Sequence, residues 1–234
     1  MHNLIRLGSL ALLFASIVPA ALLSVGDRSK LGATDRLDWA VAGENYDALG
    51  SRLEVKSEGG LAVGVSQAGW FVRLDQSAGW YGNFAPGEHL LWNRGGGPVS
   101  FELGPAGLTA LGFQIQTNLF ESYTAQLDVF DAAGALMGSA TGEGRSTQLG
   151  DGSALWLGIL SDRSFYQARI RVTSGESQDD FAISTLYLAT GPPATPAWNA
   201  PPLAPSASPV PEPATFTLGT LAVALIALAR RKLR

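Results

Sequence analysis

The chain has 234 residues, of which 46% are hydrophobic and only 15% are charged, and its formal net charge is −4. A charge balance this close to neutral excludes the electrostatic signature of nucleic-acid binding, so we predict no nucleic-acid partner. Because the chain has no cysteine, disulfides, thiolate nucleophiles and cysteine-ligated metal centres are also excluded.

The first 25 residues, MHNLIRLGSLALLFASIVPAALLSV, have the three-part pattern of a secretory signal peptide. Arg6 supplies positive charge, residues 7–18 are uncharged and mostly apolar, and the small residues of VPAA offer a cleavage site after Ala20 or Ala21. A buried core helix and an uncleaved anchor are the alternatives. We predict a signal helix in residues 1–25 and export through the general secretion machinery.

Residues 27–190 are long enough to form one ectodomain with a substantial core. Apolar and polar side chains alternate in LGFQIQT (111–117), TAQLDVFD (124–131) and QARIRVT (167–173), which is typical of strands with one buried face. The other predicted strands are 52–58, 61–66, 69–75, 98–104, 154–160 and 181–190. Since residues 40–190 lack a helical stripe, we predict an all-β fold, an antiparallel β-sandwich whose sheets each have one solvent-exposed face.

Few side chains of the ectodomain suggest catalysis. Its one histidine, His89, lies in APGEHLLWN without a recognisable partner, and no Gly-x-Ser-x-Gly motif occurs. The segment GEGRSTQLGDG (142–152) is interpreted as a glycine-rich loop, which lacks the Lys-Ser/Thr of a phosphate-binding loop. We therefore predict that the protein is not an enzyme. The alternative is an enzyme acting on envelope polysaccharide, which would need two carboxylates across a cleft.

Aromatic residues are concentrated in GWFVRLDQSAGWYGNFAPGEHLLWN, residues 69–93. Exposed Trp and Tyr side chains bind sugars through apolar contact with the faces of the sugar rings. Trp80, Tyr81 and Trp92 are therefore candidates for carbohydrate contact. The alternative is that these large rings fill the core of the sandwich.

An acidic pair, Asp179 and Asp180, begins the last predicted strand, and Glu176 lies close to it in the sequence. Carboxylates and loop carbonyl groups are the oxygen ligands that Ca²⁺ prefers. Asp179 and Asp180 are therefore weak candidates for a Ca²⁺ site, and the alternative is a solvated turn. No other cofactor is predicted.

The stretch TGPPATPAWNAPPLAPSASPVPEP (190–213) is rich in Pro, Ala and Ser and carries almost no charge. Such a composition can bury little surface, and proline favours extended conformations. We predict that residues 191–209 are a linker that spaces the ectodomain from a membrane. The alternative is a proline-rich ligand for a groove on another protein.

The C-terminal segment, residues 210–234, combines a Pro-Glu-Pro triplet, an uncharged apolar run at 214–229 and a basic tail at 230–234. As a helix, the run would span about 24 Å, less than the ~30 Å hydrocarbon core, and membrane thinning or snorkelling would close the gap. The basic tail should stay on the cytoplasmic side. We predict a single transmembrane helix at 214–229 followed by a stop cluster of Arg230, Arg231, Lys232 and Arg234.

These three parts in this order resemble the PEP-CTERM sorting signal of Gram-negative bacteria. The resemblance implies that an exosortase, a membrane transpeptidase, recognises Pro211, Glu212 and Pro213 and removes the tail after transient anchoring in the inner membrane. It also implies a surface or extracellular-matrix protein of a biofilm-forming species. We predict that this protein has a structural or binding role and associates with exopolysaccharide. A permanently anchored membrane protein is the alternative.

The second half of the ectodomain resembles the jelly-roll ectodomains that often precede PEP-CTERM tails. PVSFELGPAGLTALGFQIQT is followed by YTAQLDVFDAAGALMGSAT, ALWLGILSDRSFYQARIRVTSG and DDFAISTLYL. The resemblance lies in the strand around LGILSD, the alternating strand after it and the Asp-rich start of the last strand. It implies a lectin-like, jelly-roll-like sandwich and assigns no activity.

Overall fold

The computed structural model describes residues 20–191, so the linker, the sorting segment and most of the predicted signal helix lie outside the described residues. Within residues 20–191 there are two one-turn 3₁₀ helices, Arg28–Lys30 and Trp39–Ala42, and fourteen strands. The strands are β1 (Leu22–Val25), β2 (Asp35–Leu37), β3 (Arg52–Lys56), β4 (Ala62–Ser66), β5 (Val72–Asp75), β6 (His89–Trp92), β7 (Val99–Glu102), β8 (Leu108–Thr117), β9 (Ser122–Phe130), β10 (Leu136–Arg145), β11 (Leu155–Phe165), β12 (Gln167–Ser174), β13 (Phe181–Ile183) and β14 (Leu186–Ala189).

The strands form two sheets in which all pairings between them are antiparallel. The first sheet has the order β1-β11-β8-β13-β6-β5, and β14 continues along β8 after β13 and pairs with β2 on its other side. The second sheet has the order β10-β9-β12-β7-β4-β3. Each of the nine predicted strands overlaps an observed strand.

The strands from β6 onward have the connectivity of a jelly roll. The pairings are nested around the β9–β10 hairpin. Moving outward from this hairpin along the chain, β8 pairs with β11, β7 with β12 and β6 with β13. The cross pairs β9–β12 and β8–β13 join these hairpins into the two sheets. This nesting defines a double-sheet jelly roll, so the predicted all-β, jelly-roll-like sandwich is confirmed.

The main core lies between the two sheets and contains the side chains that alternation predicted to point inward. Phe113 and Ile115 of β8, Leu127 of β9 and Ile170 of β12 are each fully buried. Phe113 also packs against Phe101 of the facing sheet, with ring centroids 6.0 Å apart. Burial of these large apolar side chains is the main favourable contribution to the stability of the sandwich.

Two segments cover much of the outer face of the first sheet, contrary to the prediction that each sheet has one solvent-exposed face. Residues 76–88 fold over one part of it, where Trp80 and Phe84 pack with Leu74 and Leu90. Residues 26–34 fold over another part, where Leu31 packs with Trp156 and Tyr187. Both covering segments are loops whose docking depends on contacts distant in sequence, so local alternation gave no sign of them.

The sandwich begins earlier in the chain than the predicted ectodomain, which started at residue 27. Strand β1 pairs with β11 along its whole length, from Leu22 opposite Ser161 to Val25 opposite Gly158. An apolar edge strand and the end of an apolar signal segment have the same composition, so the sequence pattern could not separate them. Within residues 20–191 we found no helix with the length and hydropathy of a membrane span.

The interpretation of residues 142–152 as one glycine-rich loop is wrong for its first part. Residues 142–145 extend β10 along β9 as far as Arg145, which lies opposite Ser122. Two glycines of this strand have no room for a side chain, because neighbouring side chains occupy the space above them. A Cβ added to Gly138 would lie 2.3 Å from Leu22 Cδ1, and one added to Gly144 would lie 2.5 Å from Tyr123 Cζ.

Candidate functional site

A cleft of about 700 Å³ opens on the outer face of the first sheet, between the two segments that cover this face. We call it the outer cleft and define it by Arg28, Glu88, Gln114, Trp156 and Tyr187, which are among the residues that line it. These residues come from β8, β11, β14 and both covering segments. The jelly roll thus supplies a rigid floor, and the loops supply the walls.

The floor of the outer cleft carries two aromatic rings. Trp156 lies over the cross-strand pair of Gly112 and Gly158, where an added Cβ would come within 2.7 Å of its Cζ2 and 3.1 Å of its Nε1, respectively. The Tyr187 ring lies 5.6 Å from the Trp156 ring at an interplanar angle of 49°. The Arg28 guanidinium lies 4.0 Å from the centroid of the Tyr187 ring. Trp156 and Tyr187 both remain partly exposed.

One wall of the cleft is loop 146–154, which the buried side chain of Asn83 fixes in place. Asn83 Nδ2 donates to Thr147 Oγ1 and Ser153 Oγ, both at 2.8 Å. Its Oδ1 accepts from the Thr147 amide at 2.6 Å and from Gln116 Nε2 at 3.1 Å. Gln114 Nε2 adds bonds to the Gly152 and Ala154 carbonyls. This wall is therefore held by a satisfied buried polar network.

The opposite wall is the segment that begins with Asp27. Its carboxylate accepts hydrogen bonds from the amide and hydroxyl of Ser29, at 2.8 and 2.9 Å, and these bonds lower the pKa of Asp27. This capped 3₁₀ turn places Arg28 over Tyr187. A second cavity of about 490 Å³ also has Arg28 and Tyr187 in its lining, together with Arg36 and Glu58.

Glu88 is a partly buried acidic residue in the lining of the outer cleft. Burial raises the pKa of Glu88, because a charged carboxylate loses hydration there. A hydrogen bond from the Ala85 backbone and the charge of Arg28 oppose this rise, and the nearby Asp38 adds to it. Its Oε2 is buried and has no hydrogen-bond partner among the described residues. Depending on its protonation, the Glu88 carboxyl group can donate a hydrogen bond or accept one.

The expectation that His89 has no partner is wrong. Its Nδ1 lies 2.6 Å from Asp38 Oδ1, and its Nε2 lies 3.8 Å from Asp75 Oδ1. The nearly buried Arg73 in turn pairs with Asp75. Asp38 belongs to a loop far away in the sequence, so inspection of APGEHLLWN alone could not reveal it. Both ring nitrogens face carboxylates, whereas a serine-type hydrolase needs a hydroxyl nucleophile against the ring.

Of the three aromatic residues predicted to contact carbohydrate, two have structural roles. Trp80 is only 6% exposed and packs edge-to-face against Phe84 and Trp92, as the core-filling alternative predicted. Trp92 is partly buried, and its Nε1 donates to Asp180 Oδ1 at 2.5 Å. Tyr81 is 63% exposed but is not among the residues that line the outer cleft.

The predicted acidic pair lies at the turn before β13. Asp180 accepts hydrogen bonds from Trp92 Nε1 through one carboxylate oxygen and from Asn118 Nδ2 through the other, the latter at 3.0 Å. Asp179 is exposed, and its backbone carbonyl accepts from Asn93 Nδ2 at 2.8 Å. Within residues 20–191, no group of three or more His, Asp or Glu residues could hold a metal ion. Calcium binding by this pair stays a prediction.

The residues of the outer cleft were not identified from the sequence. The available signal was in ALWLGIL, where alternation places Trp156 and Gly158 on the face opposite the buried Leu157 and Ile159. A tryptophan followed two positions later by glycine on the outward face of a strand predicts a ring lying across the sheet. The contributions of Arg28 and Glu88 depend on loop docking and had no local signal.

Comparison with known proteins defines the C-terminal segment. Residues 209–234 match the family model described as the PEP-CTERM protein-sorting motif. The resemblance noted for this segment is thus confirmed, and the motif implies an exported surface protein that depends on exosortase and has a C-terminal membrane anchor before processing. Pro211, Glu212, Pro213 and the basic cluster fall within the match but outside the described residues. A comparison with curated proteins found no match to the sequence.

Three solved structures have a partial likeness to this chain, each at 11% sequence identity. A DUF4465 family protein from Bacteroides caccae has a TM-score of 0.37, covering 72% of this chain and 99% of that one. The arabinose-bound GH51 α-L-arabinofuranosidase MgGH51 has a TM-score of 0.32, covering 68% of this chain but 25% of that enzyme. The module CsCBM6-3 from Clostridium stercorarium, in complex with cellobiose, has a TM-score of 0.22, covering 64% and 91%.

Proposed function

We propose that this chain is exported from a Gram-negative bacterium, anchored transiently in the inner membrane, and released by exosortase to the cell surface or extracellular matrix. The observation that carries the proposal is the PEP-CTERM motif at residues 209–234. The apolar run and the cationic end of this segment have the physical character of a membrane stop. The signal-peptide pattern of residues 1–25 supports the same route.

At the surface, the jelly-roll ectodomain has a structural and binding role in association with exopolysaccharide, not a catalytic one. The outer cleft supports this binding role, because it combines aromatic rings, amide groups and charged side chains. This is the composition of a binding surface for a polar ligand. Among the described residues, His89 contacts Asp38 and Asp75 and no hydroxyl group, whereas a serine-type hydrolase needs a hydroxyl nucleophile against the ring.

Mass spectrometry of the C-terminus and cell fractionation, with and without the exosortase, test this proposal. In cells with the exosortase, we expect a surface form that lacks Arg234, and in cells without it, an intact form retained in the membrane. Glu212→Ala should reproduce the retained form because it alters the triplet. Pro209→Ala, which leaves the triplet intact, is the matched control and should be processed normally.

An intact Arg234 in the surface-exposed form would exclude processing and favour the permanently anchored alternative. Equal processing of the Glu212→Ala and Pro209→Ala proteins would show that the triplet is not the recognition element.

A further inference from the structure

We propose that the outer cleft binds an uncharged polysaccharide chain, with Trp156 as the surface on which a sugar ring stacks. This inference rests on the proposed function, because it assigns a site to the predicted association with exopolysaccharide. It replaces Trp80 and Trp92, which are packed into the fold, with residues that line an open cleft.

The first observation is the fixed position of Trp156. Its indole lies over Gly112 and Gly158, where any larger residue would displace it, and it contacts the Tyr187 ring. A ring held this way is preorganised, so binding does not require the loss of its side-chain freedom. Aromatic rings bind the apolar faces of sugars by contact area, and a partly exposed indole at the floor of a cleft offers this surface.

The second observation is the set of polar groups around the indole. Glu88 lines the cleft and is partly exposed. A sugar hydroxyl can donate to its carboxyl group when Glu88 is ionised and can accept from it when Glu88 is protonated. Arg145 and Glu143, which also line the cleft, offer donors and acceptors for further hydroxyls.

The charges of the cleft point to an uncharged polymer. Its lining holds the acidic residues Asp27, Glu88 and Glu143 and the basic residues Arg28 and Arg145. Arg28 is already placed over the Tyr187 ring. A phosphate- or sulfate-bearing chain would meet more negative than positive groups, and anion recognition requires the opposite balance. A neutral chain carries no such electrostatic penalty.

The second cavity indicates a chain rather than a single sugar. The two cavities, of about 700 and 490 Å³, have Arg28 and Tyr187 in common. A polymer crossing Tyr187 would therefore occupy both cavities, and Arg36 and Glu58 would contact it beyond the crossing point. Affinity should accordingly increase with the number of linked sugars, as it does when adjoining sites are filled by one ligand.

The inference is tested by affinity electrophoresis of the mature protein purified from the cell surface. The gels contain hydroxyethylcellulose, dextran or the neutral fraction of exopolysaccharide from the producing cells, and dextran sulfate serves as the polyanionic comparison. We expect retardation by at least one neutral polymer. Trp156→Ala should raise the Kd about tenfold or more, and Trp156→Phe should retain part of the affinity because a ring remains.

The matched control is Trp70→Ala, which removes an equally large ring that is 55% exposed and is not among the cleft residues. It should bind like the unaltered protein. Thermal unfolding of all variants identifies any loss of the fold, and the Trp156→Phe protein keeps the test interpretable if Trp156→Ala fails to fold.

The outcomes separate this inference from the proposed function. Equal retardation of Trp156→Ala, Trp156→Phe and the unaltered protein by a neutral polymer would overturn the cleft assignment and leave the association with polysaccharide in place. Retardation by dextran sulfate alone would overturn the assignment of an uncharged ligand to the cleft. If no polymer retards the unaltered protein, both the cleft assignment and the polysaccharide association fail, while sorting is judged separately by the mature C-terminus.

Discussion

The backbone amide of Ala21 donates to Asp162 Oδ1 at 3.0 Å, and the amide of Asp162 donates back to the Ala21 carbonyl at 3.2 Å. This reciprocal pair fixes the point at which the chain enters β1, the edge strand of the first sheet. Cleavage after Ala20, one of the two predicted sites, would turn the Ala21 amide into an α-ammonium group. The hydrogen bond to Asp162 would then become an ion pair, which is a stronger charge-assisted contact.

We therefore predict that the exported protein begins at Ala21. Cleavage there leaves β1 complete and gives the new ammonium group a carboxylate partner, whereas cleavage after Ala21 removes the residue that pairs with Asp162. N-terminal sequencing or intact mass of the exported protein decides between them. Asp162→Asn should lower the Tm of the exported protein slightly, since exposed ion pairs contribute little. A mature chain that begins beyond Val25 would lack β1 and contradict the prediction.

A second prediction concerns Asn83, whose amide joins loop 146–154 to β8. Asn83→Ala should lower the free energy of unfolding by about 1–3 kcal/mol, because the buried groups of Gln116 and Thr147 lose their partners. Urea denaturation measures this change. Gln148→Ala, at an exposed position of the same loop, is the control and should be nearly neutral. Equal effects of the two substitutions would mean that the network does not hold the loop.

Much of the fold could be predicted from the sequence, for a local reason. In β9 and β12, residues two apart face the same side, so side chains such as Leu127 and Ile170 are identified as core residues by alternation alone. Strand β10 has no comparable signal because LMGSATGEGR is rich in glycine, a residue depleted in strands. Gly138 and Gly144 are explained by Leu22 and Tyr123, which reach them from other strands.

The candidate site could be predicted much less well, because it is formed where loops dock on a sheet. Trp156 had a local signal in its position on β11, but nothing near residues 28 or 88 indicated that their side chains line the same cleft. His89 illustrates the same limit, since its nearest partner, Asp38, is 51 residues away in the sequence. The sorting motif could be predicted because all its parts are contiguous in the chain.

A third prediction tests whether the position of Trp156 depends on the glycines beneath its indole, Gly112 and Gly158. Gly112→Val should displace the indole, because even a Cβ at this position would lie 2.7 Å from Trp156 Cζ2 and 3.0 Å from Leu31 Cδ2. Overpacking of this kind should cost about 1–3 kcal/mol in the free energy of unfolding. Urea denaturation checks the cost, and a shift in tryptophan emission reports the displacement.

Gly50→Ala is the matched control, because its added Cβ would lie at an ordinary 3.5 Å from the nearest atom, the Arg52 carbonyl oxygen. It should leave stability and emission nearly unchanged. If Gly112→Val has no larger effect than Gly50→Ala, the indole does not depend on the small residues beneath it.

The last prediction concerns the pH dependence of stability that Glu88 introduces. Burial raises the pKa of this carboxyl in the folded protein, so folding favours the protonated form. The contribution of Glu88 to stability is therefore most favourable below its unfolded pKa and is lost as the pH rises through the folded pKa.

The substitution Glu88→Gln removes this titration. As the pH is raised from 4 to 8, the free energy of unfolding of the Glu88→Gln protein should therefore increase relative to that of the unaltered protein. Urea denaturation across this range measures the difference, with the exposed Glu176→Gln as control. A difference that stays constant with pH, or one that shrinks as the pH rises, would show that the Glu88 carboxyl is not destabilised by its burial in the cleft.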